Sequence, residues 1–96
     1  MYTQEGFTEK VKEWLKQENY VPQGNWNITD IPEENAVLIE ASLKVTVYTH
    51  EGVNPKLLTT YTRTSRDENS IRNAVIALYK NLMQQQEELL EQLDEQ

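Results

Sequence analysis

Few residues of this chain carry chemically active groups, and their spacing does not assemble a catalytic site. His50 is the single histidine, and it stands beside Glu51 and Gly52 in a stretch typical of a hairpin loop. General acid–base catalysis needs a positioned partner group, and the neighbouring sequence supplies none. The pattern therefore favours a solvated loop histidine over a catalytic one.

The hydroxyl and carboxyl side chains also lack the partners that catalysis or metal binding needs. Serine and threonine are frequent in residues 59–65, but a nucleophilic hydroxyl needs a base and an oxyanion site. The pairs Asp67–Glu68 and Glu87–Glu88 are adjacent, so on a helix they diverge by about 100° and do not match a calcium loop. The chain has no cysteine and therefore no thiolate nucleophile. We expect no enzymatic activity, no cofactor and no metal site.

Net charge is the most pronounced chemical feature of the sequence. The chain has 16 Asp plus Glu against 9 Lys plus Arg, a formal charge of -7. Residues 81–96 hold five acids and no base, which leaves -7 + 5 = -2 for residues 1–80. An acidic surface repels phosphates and suits a protein whose basic cleft binds nucleic acid. We therefore expect no direct nucleic-acid binding, with solubility alone as the other explanation of the charge.

The first part of the chain predicts one helix and one short strand. Apolar residues in positions 4–18 recur at helical spacing, as Phe7, Val11, Trp14 and Leu15. Thr3 or Thr8 is the expected cap, and Pro22 ends the helix near residue 19. Residues 26–31 then alternate between apolar and polar, which predicts a short strand that Pro32 limits to an edge or a terminus.

The middle of the chain predicts a β-hairpin. Residues 37–47 alternate apolar and polar side chains over eleven positions, which indicates a half-buried antiparallel strand with one face exposed to solvent. A helix over residues 33–44 is the competing interpretation, and the β-branched residues 45–47 argue against it. Gly52, Asn54 and Pro55 predict a loop over residues 50–56, and residues 57–64 form the returning strand.

The last part of the chain predicts a long helix. Ser65 and Glu68 fit a capping box, and apolar residues follow at steps of three and four. The stripe turns polar at residues 84–86 and resumes with leucines at 89, 90 and 93, so the last three turns are expected to project. The fold class is thus α+β, a single α-β-β-β-α domain whose three-stranded antiparallel sheet has helices on one face. Residues 1–83 form the predicted core domain and residues 84–96 an acidic Gln/Glu-rich helical extension.

Two interpretations that do not rest on the acidity follow from other features of the sequence. Arg63, Arg66, Arg72 and Lys80 predict a basic face where a double-stranded-RNA-binding domain contacts phosphates, although Asp67 begins the helix there. The C-terminal leucines favour a short coiled coil and a homodimer. The chain would then be a small phage structural, assembly or adaptor protein that self-associates through its C-terminal helix.

The element order, small size and acidity, together with residues 61–71 (YTRTSRDENSI), resemble the small acidic phage anti-CRISPR proteins that inhibit Cas9 in type II-A systems. The likeness covers roughly residues 40–91 in layout. It implies a non-enzymatic inhibitor whose carboxylates replace DNA phosphates in the PAM-reading cleft of a Cas9-like effector. The chain departs from this pattern by Arg63 and Arg66 beside the acids and by the Gln-rich extension.

The leading hypothesis is a protein-binding inhibitor, encoded by a phage or mobile element, that blocks the nucleic-acid-binding cleft of a host defence nuclease. The expected partner-binding residues are acidic and fall in a loop, a helix start and a helix end: Glu51, Asp67, Glu68, Glu87, Glu88, Glu91, Asp94 and Glu95. Residues 1–20 carry charges throughout and no apolar segment. We therefore expect an unprocessed chain, no membrane partner and a cytoplasmic location in the host cell.

Overall fold

The computed structural model describes residues 2–94, with side chains through Gln92, and it confirms the predicted α-β-β-β-α order. Its elements are helix α1 (Gln4–Gln17), strand β1 (Asn25–Ile31), a 3₁₀ turn (Pro32–Glu34), strands β2 (Ala36–Thr49) and β3 (Gly52–Ser65), and helix α2 (Glu68–Asp94). The sheet is antiparallel with the strand order β1-β2-β3.

Both helices lie on one face of the sheet and enclose the core. Alternate residues of β2 are buried on this face, namely Val37, Ile39, Ala41, Leu43, Val45 and Val47. Apolar residues of α1 and α2 pack against this row, including Phe7, Leu15 and Val75 at 0 % exposure. No helix of the described residues covers the opposite face of the sheet, which is called the open face below.

Side-chain hydrogen bonds fix the start of α1 and cover the edge of β1. The Thr3 hydroxyl accepts from the Gly6 N–H at 3.0 Å, so Thr3 is the N-cap of α1. The Gln4 side chain donates to the Ile28 carbonyl at 2.7 Å and accepts from the Ile28 N–H at 3.3 Å. This amide occupies the place of a fourth strand, so the edge of β1 is closed at its centre.

The hairpin is longer than the sequence predicts, and the expected loop over residues 50–56 is wrong. The turn contains only His50 and Glu51, because β3 begins at Gly52. Pro55 therefore lies inside a strand. The Gln85 amide donates to the Thr59 carbonyl from outside the sheet, so alternate residues of β3, Pro55 among them, point their backbone groups away from β2. A proline at such an edge position breaks no ladder hydrogen bond.

The predicted capping box at the start of α2 is also wrong. The Asp67 carboxylate accepts from the Ser70 N–H at 3.1 Å, and the Asp67 carbonyl accepts from the Ile71 N–H at 3.0 Å. Asp67 is thus the N-cap in place of Ser65. The Ser65 hydroxyl only accepts from the Asp67 N–H at 3.4 Å.

The end of α2 lies along the hairpin and does not project from the domain. Strands of 14 residues span about 46 Å, and a helix of 27 residues spans about 40 Å, so the two are matched in length. Leu89 packs against the core. The predicted domain boundary after residue 83 falls inside this continuous helix.

Candidate protein-binding surfaces

The predicted acidic residues fall into two groups at opposite ends of α2. Asp67 and Glu68 lie at its start, and Glu87, Glu88 and Glu91 lie near its end. Nineteen residues separate Glu68 from Glu87, which corresponds to about 28 Å along the helix axis. The structure therefore does not join all the predicted residues into one surface.

The acids at the start of α2 are engaged within the protein. Asp67 caps the helix, as described above. The Glu68 carboxylate accepts a hydrogen bond from the Tyr2 hydroxyl at 3.2 Å and lies 3.7 Å from the Lys10 ammonium. Burial and, to a smaller degree, the Glu68 carboxylate raise the pKa of Tyr2. These two carboxylates have structural partners that a binding partner would have to replace.

The acids at the other end are Glu51 in the hairpin turn and Glu87, Glu88 and Glu91 on α2, and we call these four residues the acidic end. A groove of about 520 Å³ separates the hairpin turn from the helix, and Glu51 and Leu89 line its two sides. Because Leu89 faces the groove, the helical spacing directs Glu87 and Glu91 to the opposite, solvent side. The Asp94 side chain and Glu95 lie outside the described residues.

The salt bridges of the described side chains are concentrated away from the acidic end. Six salt bridges are found among the described side chains. Each involves α1, the first turns of α2, or the end of the sheet where β1 pairs with β2. None of these six bridges contains a residue of the acidic end. Its negative charge is therefore not balanced by a bridging cation within the described part of the chain.

The predicted basic face is largely neutralised by the same bridges. Arg66 donates to both carboxylate oxygens of Asp30, at 2.9 and 2.7 Å. Arg72 contacts Glu18 at 2.7 Å and Arg63 contacts Glu34 at 3.3 Å. A phosphate-binding surface keeps its cations available for the backbone, so this arrangement does not favour contact with RNA.

The open face carries apolar residues that the sequence reasoning missed. Four of them are mostly exposed, namely Tyr48 at 78 %, Val53 at 64 %, Leu57 at 66 % and Tyr61 at 73 %. Their position depends on the register, in which Leu57 is opposite Lys44 and Tyr61 is opposite Glu40. A turn of only two residues fixes this register. Recognising that turn in the sequence would have placed Leu57 and Tyr61 opposite the polar residues of β2.

The remaining candidates for chemistry are isolated. His50 lies in the hairpin turn and is exposed. Among the threonines of β3, Thr59 is exposed and Thr60, Thr62 and Thr64 are half-buried. Within residues 2–94 there is no group of three or more His, Cys, Asp or Glu able to hold a metal ion. No polar or charged side chain among the described residues is buried.

Comparisons with protein-family models, with curated proteins and with solved structures gave no match for this chain. In the described part of the chain, neither helix is both long and apolar enough to cross a membrane. By its fold the protein is a small α+β domain. Two exposed regions of it are candidates for binding, the acidic end and the open face.

Proposed function

We propose that the protein is a non-enzymatic inhibitor that acts in the host cytoplasm and blocks the nucleic-acid-binding cleft of a defence nuclease through its acidic end. The observation that carries this proposal is the distribution of ion pairs. Six of the ten other acids in residues 1–80 bridge to lysine or arginine, whereas Glu51, Glu87, Glu88 and Glu91 take part in none of the described bridges.

Carboxylates at helical spacing suit arginines that otherwise contact phosphates. Glu87 and Glu91 are four residues apart, so their Cβ atoms lie about 5–6 Å from each other. Each carboxylate can accept two parallel hydrogen bonds from one guanidinium group. The resemblance to type II-A inhibitors makes a Cas9-like effector the partner of this proposal.

The proposal is tested by DNA cleavage with a purified, guide-loaded type II-A Cas9. The wild-type chain is compared with a variant that carries Glu→Gln at the four positions of the acidic end. A matched control carries Glu→Gln at Glu5, Glu9, Glu13 and Glu33, which are exposed in the other half of the molecule. Both variants change the net charge from -7 to -7 + 4 = -3.

We expect the acidic-end variant to lose at least about tenfold in inhibition, while the control stays within about threefold of wild type. Raising the salt concentration from about 0.1 to 0.5 M weakens binding of the wild-type chain, because exposed charges are screened. Equal losses in the two variants would reduce the effect to net charge. Absence of inhibition by the wild-type chain would refute the proposed partner.

A further inference from the structure

The open face presents a row of exposed apolar residues along β3 that no other described part of the chain covers. Val53, Leu57 and Tyr61 follow one another at every fourth position of β3, and each is at least 64 % exposed. The row is about 27 Å long at the rise of an extended strand. Large apolar residues exposed together on one face of a small domain mark an interaction surface.

The edges of the sheet are closed, so a partner meets the face and does not extend the sheet. Gln4 occupies both backbone groups of Ile28 at the edge of β1. Gln85 occupies the Thr59 carbonyl at the edge of β3, and Pro55 lacks the N–H that a pairing strand needs at that edge. These contacts disfavour addition of a strand at the middle of either edge.

At the centre of the open face, two cross-strand pairs of opposite charge lie on either side of a small polar pair. Its cross-strand pairs are, in order, Glu40 with Tyr61, Ser42 with Thr59, and Lys44 with Leu57. Ser42 and Thr59 lie at the middle of strands that run over residues 36–49 and 52–65. The small Ser42–Thr59 pair therefore has an acid beside a large residue on one side and a base beside a large residue on the other.

We propose that the open face binds a second copy of this chain across a two-fold axis. The axis runs between the two sheets, perpendicular to the strands, over the Ser42–Thr59 pair. This symmetry places Glu40 opposite Lys44 of the second copy and Tyr61 opposite Leu57, and each contact occurs twice. Within one chain neither Glu40 nor Lys44 is part of a described salt bridge.

The surface relief agrees with this arrangement. A depression of about 440 Å³ lies on the open face, and Asn27, Glu40 and Tyr61 are among its lining residues. Lys44 of the second copy enters it, with its apolar stem against the tyrosine and its ammonium at the carboxylate. Two packed sheets cross at about 30°. The residue pairs on either side of the central pair lie about 7 Å from the axis, so this rotation shifts them sideways by roughly 3–4 Å. The shift is less than the spacing between neighbouring strands.

The size of the contact predicts a reversible dimer. The two strands of the hairpin present about 46 by 10 Å, roughly 450 Å² in plan from each copy, which is small among specific interfaces. Since the two-fold axis crosses the middle of the hairpin, the hairpin turns lie at opposite ends of the dimer. Both acidic ends therefore remain accessible, and the dimer does not depend on the proposed function.

Sedimentation equilibrium over a wide concentration range tests this interface with two single charge reversals, Glu40→Lys and Lys44→Glu. We expect the wild-type mass to rise from one chain to two, and each reversal to weaken association about 10- to 30-fold. An equimolar mixture of the two variants restores association, because the new lysine of one variant then faces the new glutamate of the other. Lys12→Glu on α1 is the matched control and leaves the dimer intact.

Three results would overturn the proposal. A wild-type chain that stays monomeric at millimolar concentration has no second copy on this face. A mixture of the two reversals that associates no better than either alone contradicts the two-fold geometry. Loss of the dimer in Leu90→Glu, which changes a residue of α2 exposed by 47 %, with no loss in the charge reversals, would assign self-association to the C-terminal helix. Circular dichroism confirms that each variant is folded.

Discussion

Replacing Asp67 by alanine separates a structural role from a binding role at one of the predicted acidic positions. The carboxylate accepts from the Ser70 N–H at 3.1 Å and lies at the positive end of the α2 dipole. Loss of an N-cap costs about 1 kcal/mol, and loss of the charge at the helix start adds about 0.3–1 kcal/mol. For a domain of this size, a total of about 1–2 kcal/mol lowers Tm by roughly 5–15 °C.

Urea denaturation followed by circular dichroism measures this change, with Asp67→Asn and Ser65→Ala as controls. Asparagine keeps the cap, so it loses only the smaller contribution from the charge. Ser65→Ala is expected to cost less than about 0.5 kcal/mol, because its hydroxyl makes only a long hydrogen bond. A larger loss in Ser65→Ala than in Asp67→Ala would refute the assignment of the cap.

Three further predictions concern the fold. Gly24→Ala destabilises the protein by at least about 2 kcal/mol in urea, because Gly24 has φ +91° and an added Cβ would lie 2.7 Å from the Ser42 carbonyl oxygen. For Tyr2, we expect tyrosinate absorbance to show a raised pKa, and we expect Glu68→Gln to lower it. The folded protein favours the neutral phenol. The free energy of unfolding therefore falls as pH rises above about 10. Ile39→Ala costs about 2–5 kcal/mol, whereas exposed Tyr61→Ala costs less than about 1 kcal/mol.

The parts of the fold that follow local patterns were predictable from the sequence. The alternation of residues 37–47 and the helical stripe of α2 each report on a face buried in one core, so the order of the elements followed. The hairpin turn did not, because Asn54 and Pro55 have turn propensity that the edge position of β3 overrides. An error in the turn also hides the register, and the register decides that Leu57 and Tyr61 face solvent.

The candidate surfaces were less predictable, because they depend on contacts between distant residues. The bridge between Arg66 and Asp30 joins residues 36 positions apart and removes a cation from the predicted basic face. Engagement of Glu68 by Tyr2 depends on how α1 approaches α2, 66 positions away in sequence. The composition indicated an acidic protein, but only the three-dimensional arrangement separates bridged acids from those of the acidic end.

The most direct test of the inhibitor account is a competition measurement with fluorescence anisotropy. A labelled DNA duplex that carries a PAM is bound to a guide-loaded, catalytically inactive type II-A Cas9, and the unlabelled chain is added. The account predicts that the chain displaces the duplex competitively and that the four acidic-end substitutions weaken this displacement. A ternary complex in which the chain is bound and the affinity for the duplex is unchanged would contradict it.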